Sequence, residues 1–318
     1  MPKVSIIVPV YGVEKYIERC ARSLFEQTLD DIEYLFIDDC TPDGSITVLK
    51  RVLEEYPHRK PQTIIHRMEQ NSGQAKVRKW GMQNCKGDYV IHCDSDDWVE
   101  KNAYELMLHK LIEDNADIVF CNYFITDGLR KTYDFKKHIN NLEALNIMRM
   151  LLTKSNLNPL WSAMVRKKCI NDLIYPIEPQ GEDKALMVQM CFKASSFAYL
   201  NQSLYYYRIN PNSICNKFEV ASLIQRYHQY VRNIDLIVDF LEKMKQNVIY
   251  KQEIVACKFA PRHLLENFIF NSKCSELWLS SYPEINKKIL FNPYVTIKEK
   301  IRFIFFYLIC LINNIKLK

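Results

Sequence analysis

The sequence predicts an α/β fold in which a mostly parallel sheet is flanked by helices, followed by a helical C-terminal region. In the first 125 of 318 residues, short apolar runs alternate with segments of helical periodicity, which is typical of a parallel sheet covered on both faces. From about 217 to 280 the chain is helix-like, with few breakers. Only 7 residues are glycine, and no G-x-G-x-x-G or Walker A loop is present, which excludes two common phosphate-binding classes.

The first part of the chain is expected to hold five strands and four helices. The predicted strands are 4–8, 34–37, 63–66, 89–93 and 118–123, and the predicted helices are 14–27, 45–56, 73–85 and 103–113. Helices at 142–152 and 183–194 and short strands at 197–200 and 205–208 follow. We therefore expect a catalytic domain over 1–215 and a helical region over 216–318.

Basic charge is concentrated at the C-terminus. Residues 285–318 hold seven Lys or Arg and one acid, so they account for the net charge of +6. Nucleic acid is not an expected partner, because protein surfaces that bind nucleic acid spread basic residues over a whole domain. In the basic amphipathic tail 297–318, ten apolar residues lie between basic ones, whereas a membrane span needs about 20. The pattern favours a helix in the membrane interface; a buried C-terminal helix is the alternative.

The cysteines and the N-terminus suggest a compartment. The 11 cysteines include no C-x-x-C pair, their number is odd, and no apolar segment of signal-peptide length opens the chain. These features argue against a zinc site and a disulfide framework. We expect a cytoplasmic protein with reduced thiols, held peripherally on the inner face of the cell membrane by its tail.

Carboxylates cluster after the second and fourth predicted strands. Asp38 and Asp39 follow one strand, and Asp94, Asp96 and Asp97 follow the other. Residues two apart point the same way in an extended segment, so Asp94 and Asp96 can share a hard divalent cation, Mn²⁺ or Mg²⁺. Such an ion would hold a diphosphate without a glycine-rich loop. Helix capping and turn formation are the alternatives.

Several motifs together carry a resemblance. They are Val4-Ser-Ile-Ile-Val-Pro-Val-Tyr11, Ile37-Asp-Asp-Cys-Thr-Pro-Asp-Gly-Ser45, Asn71-Ser-Gly73, Arg78-Lys-Trp-Gly81 and Gly87-Asp-Tyr-Val-Ile-His-Cys-Asp-Ser-Asp-Asp-Trp98. In this order they resemble the family 2 glycosyltransferases of the GT-A fold, a Rossmann-like fold of nucleotide-diphospho-sugar transferases that build bacterial capsule, exopolysaccharide and lipopolysaccharide. Farther on, residues 181–183 resemble the acceptor-side acid motif of the family, and 204–213 resemble a segment that often follows it. The resemblance covers about residues 3–215.

The resemblance implies roles for the matching residues. The implied nucleotide-binding residues are Pro9, Val10, Tyr11, Asp39, Arg78, Asp94 and Ser95. Asp94 and Asp96 match the D-x-D pattern, with Asp96 the better metal ligand. Asp183 matches the catalytic base, and Glu182 belongs to the acceptor side. Such enzymes invert the anomeric centre: Asp183 would take the proton of the acceptor hydroxyl as it attacks C1, while the metal-bound nucleoside diphosphate leaves.

Residue chemistry adds two expectations. Asp183 begins a predicted helix, and a carboxylate near a helix N-terminus stays ionised, as a base must; simple charge complementarity at the helix end is the alternative. Trp161 offers an aromatic face to an acceptor sugar, or else is an ordinary core residue. Gly12 and Lys79 replace the asparagines usual in the family motifs, which bears on sugar or nucleotide preference.

We expect a metal-dependent, inverting glycosyltransferase that moves one sugar from a nucleotide-diphosphate sugar, with UDP as the nucleotide, to a glycan or lipid-linked acceptor. The absence of a Gln-x-x-Arg-Trp motif speaks against a processive synthase. Two alternatives stay open. One is a Mg²⁺-dependent phosphatase, although phosphatases place the D-x-D motif on an N-terminal strand. The other is a non-catalytic, membrane-recruited protein that binds nucleotide sugars.

Overall fold

The structure is a computed structural model. The structure describes residues 2–128, 132–137, 139–153, 157–209 and 219–315, with side chains up to 312. Within these residues one sheet of nine strands is covered by helices on both faces, and helices fill the C-terminal region. The predicted fold class is confirmed.

Of the five strands predicted in the first part of the chain, four are longer than predicted and the one at 89–93 ends one residue earlier, at His92. The strand bounds are β1 Val4–Val10, β2 Ile32–Asp38, β3 Thr63–Arg67, β4 Tyr89–His92, β5 Trp98–Val99, β6 Ile118–Thr126, β7 Thr132–Phe135, β8 Ala163–Arg166 and β9 Phe197–Arg208. Their order in the sheet is β3-β2-β1-β4-β8-β6-β9-β5, with β7 paired to β6.

Parallel pairing is less extensive than the sequence predicts. β3, β2, β1 and β4 are parallel neighbours, as are β6 and β9. The short strand β8 runs antiparallel between β4 and β6, and β5 and β7 also pair antiparallel. No sequence pattern marked these three short strands. The two strands predicted at 197–200 and 205–208 are one strand, β9, whose register shifts opposite Cys121 to Tyr123 of β6.

The helices follow the predicted periodicity, with ends that differ by a few residues. Their bounds are α1 Ile17–Phe25, α2 Ser45–Glu54, α3 Gln74–Asn84, α4 Ala103–Glu113, α5 Ala144–Thr153, α6 Glu182–Lys193, α7 Val220–Lys243, α8 Lys251–Phe259, α9 Arg262–Leu265, α10 Ser272–Ser280, α11 Asn286–Leu290 and α12 Ile297–Ile315. Apolar side chains of α1, α2 and α4 pack on one face of the sheet, and those of α3, α5, α6 and α7 pack on the other.

The C-terminal helices form an apolar cluster of their own, and α7 also joins the core on the α3 face of the sheet. Trp278, Phe303 and Cys310 join the start of α7 with α8 to α12. Ile234 and Leu241 of α7, however, pack in the same core as α3, α5 and α6. Residues 210–218, where the predicted domain boundary falls, lie outside the described residues, as does part of the motif predicted at 204–213. The division at 215 stays a prediction.

None of the described helices is both long enough and apolar enough to cross a bilayer. α12 has 19 residues and is therefore about 28 Å long. Phe303 and Cys310 are buried, as in the buried-helix alternative, while Ile301, Phe305 and Leu308 are exposed. Attachment to a membrane stays a prediction.

Candidate active site

The site forms where parallel strands end side by side. β1 ends at Val10, opposite Asp38 of β2, and β4 pairs with β1 on its other side. Tyr11, the next residue, is half exposed, whereas Pro9 and Val10 lie within the strand. Because ligands of open α/β sheets bind at the carboxyl ends of the strands, this edge is the expected location of a nucleotide.

The carboxylate of Asp39 holds the loop that precedes α3. It accepts hydrogen bonds from the backbone N–H groups of Ser72, at 2.7 Å, and Gly73, at 2.8 Å. Gly73 has a φ of +82°, a conformation that favours glycine. The carboxylate of Asp38 stabilises the turn that follows β2. It accepts hydrogen bonds from the backbone N–H of Thr41, at 2.7 Å, and from the Arg67 side chain, at 2.6 Å. For Asp38 the structure therefore favours the turn-forming alternative. Nucleotide contact by Asp39 stays a prediction.

Arg78 lies at the centre of the site. Its Nη1 donates to Glu182 Oε1 at 2.5 Å and to the carboxylate of Asp183, and its Nη2 donates to Asp94 Oδ1 at 2.9 Å. The Arg78 side chain is only 2% exposed. One buried cation therefore joins the D-x-D loop of β4 to the acid pair at the start of α6. We call Arg78, Asp94, Glu182 and Asp183 the Arg78 cluster; nucleotide contact by Arg78 stays a prediction.

The first turn of α6 is fixed from two sides. Gly181 precedes the helix with a φ of +84°, and a Cβ added there would come within 2.6 Å of the Tyr230 ring. Both observations indicate that any residue larger than glycine at position 181 would be strained. On the other side, Asp183 accepts a backbone hydrogen bond from Leu160. The packing of Gly181 and this amide together orient the predicted base.

Burial governs protonation in the cluster. It raises the pKa of Glu182 to about 8, against the attraction of Arg78. It also raises the pKa of Asp183 above its usual range, where Arg78 again opposes the shift and Asp94 adds to it. The expectation that a helix N-terminus keeps Asp183 readily ionised is therefore outweighed by desolvation. A raised pKa brings a carboxylate nearer to the strength of a useful general base at neutral pH.

The loop Asp94 to Asp97 is anchored by β9. The Tyr205 hydroxyl donates to Asp97 Oδ2 at 2.7 Å and accepts from the Asp94 amide at 3.0 Å. The Arg208 amide donates to Asp97 Oδ1 at 2.7 Å. Asp97 is thus a buried structural acid. Ser95, predicted to bind nucleotide, is buried beside it.

Asp94 and Asp96 suit a divalent cation only if a bound substrate supplies the remaining ligands. No group of three His, Cys, Asp or Glu side chains in the described part of the chain is arranged to hold a metal. The described residues give Asp94 its hydrogen bonds at Oδ1, from Arg78 and from Gln74, so Oδ2 faces no protein donor among them. Two carboxylates suit Mg²⁺ or Mn²⁺ when phosphate oxygens of a substrate complete the coordination.

Trp161 is a packed residue that is 5% exposed. Its ring stacks on Tyr205 at 4.2 Å and meets Tyr123 edge-on at 4.8 Å. The core interpretation fits this environment, and contact with an acceptor stays a prediction. His92 is also buried, next to Arg78, and burial lowers its pKa well below the usual value, so it packs as a neutral ring.

The joining role of Arg78 and the anchoring role of Tyr205 were missed from the sequence. One signal for Arg78 was present, because it lies three residues after Ala75 and four before Met82, on the face of α3 that is buried. A charged residue on such a face needs a partner. Tyr205 was predicted only as part of a short strand at 205–208, and it is a buried residue of β9.

Comparison with known proteins bears on the family of this chain. The model of the family described as Glycosyl transferase family 2 matches residues 5–174. The chain belongs to glycosyl transferase family 2. It is 31% identical over 226 residues to the glycosyltransferase GlyA of Streptococcus pneumoniae, covering 67% of this chain and 31% of GlyA. It is 24% identical to the minor teichoic acid biosynthesis protein GgaB of Bacillus subtilis, over 77% of this chain and 27% of GgaB. This family member thus matches less than a third of the length of each of these two relatives.

Solved structures share its fold. TarS residues 1–349 of S. aureus, in complex with UDP-GlcNAc, match with a TM-score of 0.58 and 18% identity, over 95% of this chain and 89% of that one. The mannosyltransferase PcManGT of Pyrobaculum calidifontis, in complex with GDP-Man and Mn²⁺, matches with a TM-score of 0.59 and 14% identity, over 99% and 87%. At these identities the likeness shows the fold alone.

Proposed function

We propose that this family 2 member moves one sugar, with inversion, from a UDP-sugar to a glycan or lipid-linked acceptor of a bacterial surface polysaccharide. The observation that carries the proposal is the Arg78 cluster, which brings the acids after β4 and the acids of α6 onto one guanidinium at the carboxyl edge of the sheet. The resemblance to GgaB and the UDP-GlcNAc complex of TarS support the substrate class.

In the proposed reaction Asp183 is the general base. Its carboxylate accepts the proton of the acceptor hydroxyl while that oxygen attacks C1, and the bond from C1 to the diphosphate oxygen breaks on the opposite face. The Leu160 amide and Arg78 hold the carboxylate in place. Asp39, Tyr11 and the end of β1 at Pro9 and Val10 bind the base and ribose, and Glu182 and Trp161 belong to the acceptor side. A fixed geometry lowers the entropy that the transition state must lose.

Asp94 and Asp96 would hold Mn²⁺ or Mg²⁺, which when bound supplies charge that stabilises the leaving diphosphate. The Mn²⁺ complex of PcManGT supports a metal in this fold. The Tyr205 hydroxyl and the Arg208 amide fix the backbone that carries both aspartates.

We also propose that α12 attaches the protein to the cytoplasmic face of a membrane. Its exposed apolar residues recur at helical spacing on one face: Ile297, Ile301, Ile304, Phe305, Leu308, Leu311 and Ile312. We call these residues the α12 stripe. Lys298, Lys300 and Arg302 lie within its first two turns. Such a helix binds an anionic interface through both apolar burial and charge.

The transferase is tested by incubating the purified protein with UDP-sugars, Mn²⁺ and candidate acceptors, and by measuring glycosylated product and released UDP. We expect both to appear in equal amounts and to require the ion. Tight UDP binding without turnover on any acceptor would favour a non-catalytic binding protein, and release of phosphate from an aryl phosphate would favour a phosphatase.

A further inference from the structure

A cavity of about 540 Å³ lies where the catalytic fold meets the C-terminal helices. Its walls come from α5 to α9 and from the segment that enters α12; the polar and charged groups among them are Thr153, Lys184, Tyr230, His263, Tyr294 and Glu299. The volume is in the range of small-molecule sites. It is separate from the Arg78 cluster, none of whose residues lines it.

Lys184 gives the cavity a buried positive charge. The residue is 5% exposed, and its Nζ donates to the Leu152 carbonyl at 3.0 Å beside the thiol of Cys257. Among the described residues it forms no ion pair with a carboxylate. An ammonium has three N–H donors, and a buried charge without a counter-ion is costly. The cavity is therefore suited to an anion that would complete these contacts.

Glu299, the acid that lines the cavity, already has partners within the protein. Glu299 accepts from the amide and hydroxyl of Thr296, both at 2.7 Å, which caps α12. Its other oxygen lies 3.8 Å from His263 Nε2, and His263 Nδ1 contacts Glu266 at 2.9 Å. Both oxygens of Glu299 therefore face protein groups, and Lys184 is the cation that lines the cavity.

The remaining walls are apolar. Phe259, Leu264 and Val295 line the cavity together with Leu152 and Ala260. The wall formed by Val295 and Glu299 leads directly into the α12 stripe, whose first member, Ile297, lies between them in sequence. A ligand that suits all of these walls has an anionic group for Lys184 and a hydrocarbon part for the apolar side.

We propose that this cavity binds an amphipathic phosphate ester, with the phosphate on Lys184 Nζ and the hydrocarbon against Phe259, Leu264 and Val295. Membrane glycerophospholipids and the lipid end of a lipid-linked acceptor both carry this chemistry. Lys184 directly follows Asp183 on α6, and Tyr230, which lines the cavity, packs on Gly181. An occupied cavity therefore contacts the turn that carries the predicted base. The inference does not rest on glycosyl transfer.

The test is calorimetric titration of the full chain with four probes: geranyl phosphate, dihexanoyl phosphatidylglycerol, inorganic phosphate and geraniol. We expect a phosphate ester to bind one to one and more tightly than inorganic phosphate or geraniol, and the ester that binds better identifies the source. Lys184→Met should weaken this binding about tenfold or more, because a charged hydrogen bond is lost. Lys193→Met, on the same helix, should bind as the wild type does.

Ala260→Phe provides a second variant, which fills the cavity and leaves Lys184 in place. It should weaken the same binding, and circular dichroism and thermal unfolding confirm that each variant is folded. Equal affinity in Lys184→Met, in Ala260→Phe and in the wild type would overturn the proposal. So would the failure of both esters to bind better than inorganic phosphate and geraniol.

Discussion

The guanidinium of Arg78 donates a hydrogen bond to the carboxylate of Asp183, the predicted base. Its second terminal nitrogen holds Asp94 at 2.9 Å, so one side chain sets the position of α6 relative to the D-x-D loop. Because Arg78 is buried, water competes little for these contacts. We infer that Arg78 positions the acids of the two substrate sides against each other.

Two replacements of Arg78 distinguish the role of its positive charge from the role of its guanidinium geometry. Arg78→Lys keeps the cation but replaces two separated terminal nitrogens with a single ammonium nitrogen, which cannot reach both Asp94 and the acids of α6 as Nη2 and Nη1 do. We expect kcat/KM to fall about 100-fold, as expected for a misplaced reacting group, with little loss of folded protein. Arg78→Met leaves the buried Glu182 and the partly exposed Asp94 and Asp183 without their counter-ion and should lower the free energy of unfolding by about 3–5 kcal/mol. Steady-state kinetics and urea unfolding measure the two effects.

Arg149→Met is the matched control for stability. Arg149 pairs with the buried Glu253 at 2.9 Å, far along the chain from the cluster, so its loss should affect unfolding without a comparable loss of kcat/KM. Wild-type kinetics in Arg78→Lys would show that the guanidinium has no positioning role.

The pH profile follows from the raised pKa of Asp183. Its surroundings in the cluster are Arg78, Glu182 and Asp94, with the Leu160 amide. A base acts only when deprotonated, so kcat should rise with pH on a limb above the usual range of an aspartate. Arg78 lowers this pKa, and its replacement in Arg78→Met should therefore move the limb to higher pH. A limb that stays in place in that variant would assign it to another group.

Local patterns marked the acids of the candidate site more clearly than the pairing of the strands. The acidic clusters after β2 and β4 could be found because each follows a clear apolar run, and the acids of α6 because they begin a clear helical segment. β8 could not, because its four residues, Ala163–Arg166, carry too little pattern to mark a strand. Its position between β4 and β6 depends on pairings with distant segments, which periodicity does not report.

Tyr205→Phe tests how β9 supports the D-x-D loop. The change removes the hydroxyl that donates to Asp97 and accepts from the Asp94 amide. Two buried polar groups lose a partner, so we expect a loss of about 1–3 kcal/mol in unfolding free energy and weaker binding of UDP with Mn²⁺. Tyr206→Phe is the control, since that hydroxyl contacts Glu100 instead; equal UDP affinities in both variants would count against the anchoring role.

Membrane attachment is tested on the α12 stripe. Leu308 is 54% exposed, so Leu308→Glu should leave the fold intact and lower by several-fold the fraction of protein that floats with phosphatidylglycerol vesicles. Ile112→Glu makes the same change at a residue of α4 that is 59% exposed and should float like the wild type. Raised salt should weaken binding, because part of it is electrostatic. A wild-type protein that does not float at moderate salt would refute the proposal.

The two faces of α12 show what the sequence left open. Its run of ten apolar residues was compatible with a buried helix or an interfacial one. Which apolar residues are covered depends on contacts with α10, where Trp278 stacks on Phe303 at 5.5 Å. Composition reports how much apolar surface a helix has, and tertiary packing decides how much stays exposed.

The most direct test of the proposed function is the rate of sugar transfer by Asp183→Asn, measured beside the wild type under saturating UDP-sugar and Mn²⁺. The asparagine keeps the size of the side chain and a hydrogen-bond acceptor for Arg78, but it cannot take a proton. We predict a rate about 10²- to 10⁴-fold lower, with UDP affinity unchanged. Transfer at the wild-type rate would contradict the assignment of Asp183 as the base.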